Sequence, residues 1–164
     1  MPLSAQLADR VAELLGREPR GLEDVCVLSE TGGPVVIRVA SLVDDKPFPT
    51  LFWLVDPDIN YRIDRAEAGG VIALLQSRAD ADPSLQAAMR SDHAAHIRLR
   101  DGFMHDEVRA RLAQLGFDDV LAHKGIGGIA DFSRIRCLHT WFAAHLVVPN
   151  TIGRLLEAYW RDAA

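Results

Sequence analysis

An α+β fold is predicted, with a three-stranded antiparallel sheet in the N-terminal third packed against five to six helices, and three observations predict it. β-Branched and aromatic runs of short period crowd into residues 22–56, each bounded by Gly, Pro or Asp clusters. Helical apolar periodicity takes over at Asp58 and holds to residue 161. The 164-residue chain is 49% hydrophobic and 25% charged, enough apolar material to close a core without disulfide or metal staples. No repeat, low-complexity tract or linker interrupts it, so one domain over residues 1–164 is expected. It divides into an N-terminal helix at 3–16, a sheet region at 22–56 and a helical region at 58–161.

The first helix rests on Leu3, Leu7, Val11, Leu14 and Leu15 at helical spacing, with Ser4 placed to cap its start and Gly16 to end it. Strands are read at residues 25–28, 34–43 and 50–55, separated by Thr31-Gly32-Gly33-Pro34 and Asp44-Asp45-Lys46-Pro47. Connections this short imply an antiparallel meander. Helices then follow at 59–76, 83–100, 105–115, 133–147 and 152–160. Gly69-Gly70 bends or splits the first of these, because glycine inside a helix costs about 1 kcal/mol relative to alanine. Pro83 suits a first helical turn, where its missing N–H costs nothing.

Eighteen Lys and Arg against 23 Asp and Glu leave a net charge of −5, which argues against a nucleic-acid coat or a membrane-surface protein. Lys46 and Lys124 are the two lysines, so attraction to phosphate has to be local. Cys26 and Cys137 stand far apart and form neither a disulfide framework nor a Cys-x-x-Cys knuckle, which fits a reducing cytoplasm. Asp9, Arg10 and Glu13 interrupt the N-terminal apolar pattern, so no signal peptide is expected. The apolar run at 51–55 stops at Asp56, far short of the roughly 20 residues of a spanning helix.

Residues 123–139, His-Lys-Gly-Ile-Gly-Gly-Ile-Ala-Asp-Phe-Ser-Arg-Ile-Arg-Cys-Leu-His, carry the chemistry that the sequence suggests. Gly125, Gly127 and Gly128 allow successive backbone N–H groups to face one concavity. A helix starting near Asp131 or Ser133 adds its positive end, and Lys124, Arg134 and Arg136 add mobile charge. Together they predict a site for a phosphate or carboxylate. The same glycines also read as a plain turn, with Asp131 as an N-cap opposing any anion. The run is neither a Walker loop nor a dinucleotide fingerprint.

In the helix read at 133–147, Arg134, Cys137, Leu138, Trp141 and His145 share one stripe and His139 lies on another, so the two histidines point apart. Cys137 reads as a small core residue or, with the nearby arginines and His145, as a reactive thiolate. Its place in the second turn counts against the thiolate. Cys137, His139 and His145 are thus the catalytic candidates. His93 and His96 are three apart, a spacing compatible with a metal, but no third ligand is identifiable and a solvated helix face is expected. No metal and no cofactor is expected.

The chain resembles a bacterial family catalogued as domain of unknown function 501. The resemblance lies in residues 124–128, in Arg134-Ile135-Arg136-Cys137-Leu138-His139, in Pro149-Asn150-Thr151-Ile152-Gly153, and in Pro47-Phe48-Pro49-Thr50-Leu51-Phe52-Trp53-Leu54. Arg20-Gly21 and the helix holding Ala88 to His93 agree in order, so it spans nearly the whole chain. It implies shared chemistry at residues 124–139 and at Asn150. Where relatives carry Cys-x-Cys-Gly and Thr-Cys-Pro, this chain reads Ser29-Glu30-Thr31-Gly32 and Val55-Asp56-Pro57, so a cysteine metal site of that kind is not implied here.

The favoured expectation is a cytoplasmic domain binding a small phosphorylated or carboxylated ligand at the glycine turn, with no nucleic acid and no membrane insertion. A non-catalytic interaction or scaffold protein linked to cell division or the envelope, with a homodimer or protein partner, is the alternative. It is suggested by Phe48, Phe52, Trp53, Tyr159 and Trp160 as exposed aromatics. A Cys137-dependent enzyme is the third.

Overall fold

A computed structural model describes residues 3–164 and has the predicted α+β class. Helix α1 (Ala5–Leu15) begins where Ser4 Oγ accepts the Leu7 N–H and ends at Gly16, whose φ of 71° is cheap only without a Cβ. Strands β1 (Leu22–Leu28) and β2 (Pro34–Val39) pair antiparallel, and β2 pairs antiparallel with β5 (Phe52–Leu54) on its other side. The expected meander is therefore present, with β2 in the middle and almost wholly buried.

The strand expected over 34–43 ends at Val39. Beyond it the chain folds into a small hairpin, β3 (Leu42–Val43) against β4 (Lys46–Pro47). Asp44 and Asp45 both take positive φ, 51° and 59°, which gives the twist a two-residue hairpin turn requires.

Seven α-helices run through the described residues, because Gly69-Gly70 splits the one read at 59–76 into α2 (Pro57–Ala68) and α3 (Val71–Asp80). Asp56 and Asp82 cap α2 and α4 (Pro83–Phe103), each followed by proline in the first turn. The remaining helices are α5 (Asp106–Gln114), α6 (Leu138–Val147) and α7 (Thr151–Ala163), and short 3₁₀ turns occupy Leu121–His123 and Ile126–Gly128. Helix α6 is the central one: it packs along β5 and between α2 and α7, and Leu138, Trp141, Phe142, Ala143, Ala144 and His145 are all buried. Helix α1 covers the far side of the sheet through Val11, Ile37, Val39 and Val55. No helix among the described residues is long and apolar enough to cross a membrane.

Three expectations need correction. The helix read at 133–147 starts at Leu138, because distant side chains claim the backbone before it. Gln76 of α3 accepts the Ile135 N–H at 2.9 Å and donates to the Ser133 carbonyl at 2.8 Å, and Trp141 Nε1 donates to the Ile135 carbonyl. Those groups are thereby unavailable to an α-helical ladder. Secondly, His93 and His96 do not form a solvated face of α4; both are buried, as is Arg100 one turn further on. The Arg100 guanidinium donates to the carbonyls of Pro49, Leu121 and Lys124, tying the segment before the glycine turn to the sheet side of the core. Thirdly, Phe52 is a core residue, Phe48 stacks on Trp53 at 5.8 Å, and Trp160 packs edge-on against Phe142 at 5.3 Å, so these aromatics are already partnered.

Candidate functional site

The N-terminal end of α6 gathers Glu67, Cys137 and His139 with their ligand-type atoms within 4.8 Å of one another. Cys137 stands at the N-cap rather than in the second turn, because α6 starts later than its periodicity suggests. Glu67, at the C-terminal end of α2, caps the helix from outside by accepting the Leu138 N–H on Oε2 at 2.9 Å. Its other oxygen, Oε1, lies 3.2 Å from His139 Nδ1. The Cys137 Sγ lies 3.8 Å from the same nitrogen, and His139 Nε2 donates to Asp64 Oδ1 at 2.8 Å. One imidazole thus meets a thiol and two carboxylates.

These contacts shift both groups. Burial opposes ionisation of the Cys137 thiol, but hydrogen bonds from His139 and from the amides of the first turn outweigh it and hold the thiol below its ordinary value. The bond with Cys137, helped by Glu67 and Asp64, raises His139 to about 9 against the cost of its partial burial.

A cavity of about 260 Å³ opens beside this end of α6, lined by Gly127, Gly128, Ile129, Arg136, Cys137 and Thr140. Arg136 is exposed and reaches it from a backbone with φ 65°, a conformation rare without glycine. Gly127 and Gly128 also take positive φ, and a Cβ on Gly127 would stand 2.5 Å from Thr140 Oγ1, so this turn lies directly on α6.

The structure therefore brings together Gly127, Gly128, Arg136, Cys137 and His139 from the expected set. It sets the others apart. Gly125 is buried because the His93 ring fills the place of a side chain, with Nδ1 2.2 Å from an ideal Cβ. Lys124 and the exposed Arg134 are not among the cavity's walls. Most amides of the turn are spent internally. Gly125 N–H donates to the Ile129 carbonyl, Ile126 N–H to His93 Nδ1, Gly128 N–H to the Gly125 carbonyl and Ile129 N–H to the Ile126 carbonyl. His145 lies at the opposite end of α6 beside Glu157.

Sequence reasoning missed Asp64, Glu67 and Thr140. The available signal was the three-residue spacing of Asp64 and Glu67, which puts both carboxylates on one face of α2. Nothing local says which helix that face meets.

A family model described as "Protein of unknown function (DUF501)" matches residues 25–158. No curated protein and no solved structure matches the chain.

Proposed function

The chain belongs to the DUF501 family of proteins of unknown function, and from that premise we propose that it binds a small phosphorylated or carboxylated molecule in the cavity at the start of α6. The observation that carries this reading is the meeting of Arg136 with the Gly127-Gly128 turn and Cys137 around one open cavity of about 260 Å³. Arg136 supplies the charge and a planar donor set suited to a carboxylate or phosphate. Cys137 stands in the cavity wall with His139 bonded behind it, so any transformation of the bound molecule runs through this pair. Two free thiols, Cys26 and Cys137, support placing this activity in a reducing cytoplasm. The interaction role has less support, since the aromatics that suggested it pack against one another or the core.

Melting curves with a panel of phosphate- and carboxylate-bearing metabolites test the reading. At a hundredfold excess over Kd a ligand adds about 2.7 kcal/mol to stability. The wild-type protein is expected to melt higher with at least one compound, and Arg136→Ala to lose that rise. A wild-type curve unmoved by the whole panel ends the reading.

A further inference from the structure

We infer that Glu67, Cys137 and His139 form a three-ligand site for a divalent cation of the zinc class, with a fourth position open to the cavity beside α6. The three donor atoms, a carboxylate oxygen, Sγ and Nδ1, lie within 4.8 Å of one another. A tetrahedral zinc ion with ordinary bond lengths sets sulfur and nitrogen ligands about 3.6 Å apart and nitrogen and oxygen ligands about 3.3 Å apart. Here the corresponding separations are 3.8 Å and 3.2 Å. The third separation, between Sγ and the carboxylate oxygen, is within 4.8 Å against about 3.6 Å in such a tetrahedron, so closing the site draws Cys137 towards Glu67 by at most about 1.2 Å.

The surroundings orient each ligand. His139 uses its Nε2–H on Asp64, so Nδ1 faces the thiol and Glu67 and binds a cation once that cation displaces its proton; a metal-bound histidine is commonly held in this way by an outer carboxylate. Glu67 is anchored through Oε2 to the Leu138 N–H, which leaves Oε1 for the cation. A proton on Nδ1 is at best shared between its two neighbours, whereas a cation bonds all three groups directly. Sulfur, imidazole and carboxylate together suit zinc better than calcium or magnesium, which favour all-oxygen sets. Cys137 also lines the cavity, so a water or the anionic group of a bound molecule can complete the coordination. The inference deepens the proposed function, because the cation then sits beside Arg136, and it rests on that reading only for the identity of the fourth ligand.

Titrating the metal-free protein with Co²⁺ as a spectroscopic substitute for zinc tests it. Expected is one equivalent bound, with a thiolate-to-cobalt charge-transfer band and the intense visible bands of tetrahedral cobalt. Cys137→Ser should lose the charge-transfer band. Glu67→Gln keeps the cap on Leu138 and should weaken binding at least tenfold, and Asp64→Asn should weaken it by about 10- to 100-fold while keeping the band. Circular dichroism of the metal-free variants separates lost ligands from lost fold. A wild-type spectrum without the charge-transfer band, or a band that survives in Cys137→Ser and so belongs to Cys26, overturns the site. Arg136→Ala should bind cobalt normally while losing metabolite protection, so failure of the anion reading and failure of the metal reading give different results.

Discussion

The two ends of α6 each hold a histidine paired with a carboxylate, and they are built on opposite principles. At the C-terminal end the ring of His145 is fully engaged, with Nε2 3.0 Å from Glu157 Oε1 and Nδ1 accepting the Asn150 N–H at 3.0 Å. Gly153 lies against that ring so closely that a Cβ would fall 2.1 Å from its Cγ. His93, in α4, follows the same plan: Nδ1 accepts the Ile126 N–H at 3.0 Å, and Gly125 gives way to the ring. At the N-terminal end, His139 meets no backbone donor and no glycine among the described residues; its Nδ1 faces a thiol and a carboxylate instead. A histidine that accepts a backbone amide and fills a glycine's space is a structural joint. One that faces convergent acids and a thiol beside a cavity is available for chemistry.

Removing the space beside the joints should have the largest effect. Gly153→Ala and Gly125→Ala each force a Cβ into an imidazole close to its own backbone, where it cannot swing aside, and should cost about 3 kcal/mol or more by denaturant titration. Gly127→Ala strains a turn of positive φ and meets Thr140, whose Oγ1 can rotate away but whose Cβ, 2.9 Å off, cannot; the loss should still be smaller, and one as large as that of Gly153→Ala would break the comparison.

Acid comes next. Burial holds His93 down to about 4, with Asp92 opposing, and holds His96 down to about 3, with Arg100 and His93 adding to the shift. The unfolded chain therefore takes up protons first as pH falls below about 6.5, and stability that is complete above this value drains away towards pH 4. The expected loss is on the order of 3 kcal/mol, read from melting at a series of pH values. Equal stability at pH 7 and pH 4.5 would show that these rings are not held neutral.

Truncating the rings separates the two roles. His145→Ala leaves the buried Asn150 N–H without its acceptor and should cost about 2–3 kcal/mol. His139→Ala removes the contacts of a ring that is 26% exposed and should cost about 1–2 kcal/mol, less than His145→Ala, while abolishing cobalt binding. The smallest effect is expected for Glu157→Gln, below about 1 kcal/mol, since that carboxylate is 43% exposed and the amide can still pair with the ring.

Much of this comparison was invisible along the chain. The capping of α1 by Ser4 and Gly16, the split at Gly69-Gly70 and the three antiparallel strands were legible, because each depends on residues within a few positions of one another. The divergence of His139 and His145 was also legible, as helical geometry sets residues six apart about a third of a turn from one another around the axis. The start of α6 was not. Local periodicity extends it back to Ser133, while Gln76 and Glu67 stop it at Leu138 from 59 and 71 residues away.

The amino-acid sequence by itself determined the class of fold, the order of its elements and the segment where Gly127, Gly128, Arg136 and Cys137 come together, since period, caps and turn residues act over short range. Tertiary structure alone decided which histidines are joints and which one faces a thiol and two carboxylates. That choice rests on partners contributed by other elements: a glycine's missing Cβ for His93 and His145, and the carboxylates of α2 for His139. An imidazole has the same formula in each place, and burial and neighbours set its role.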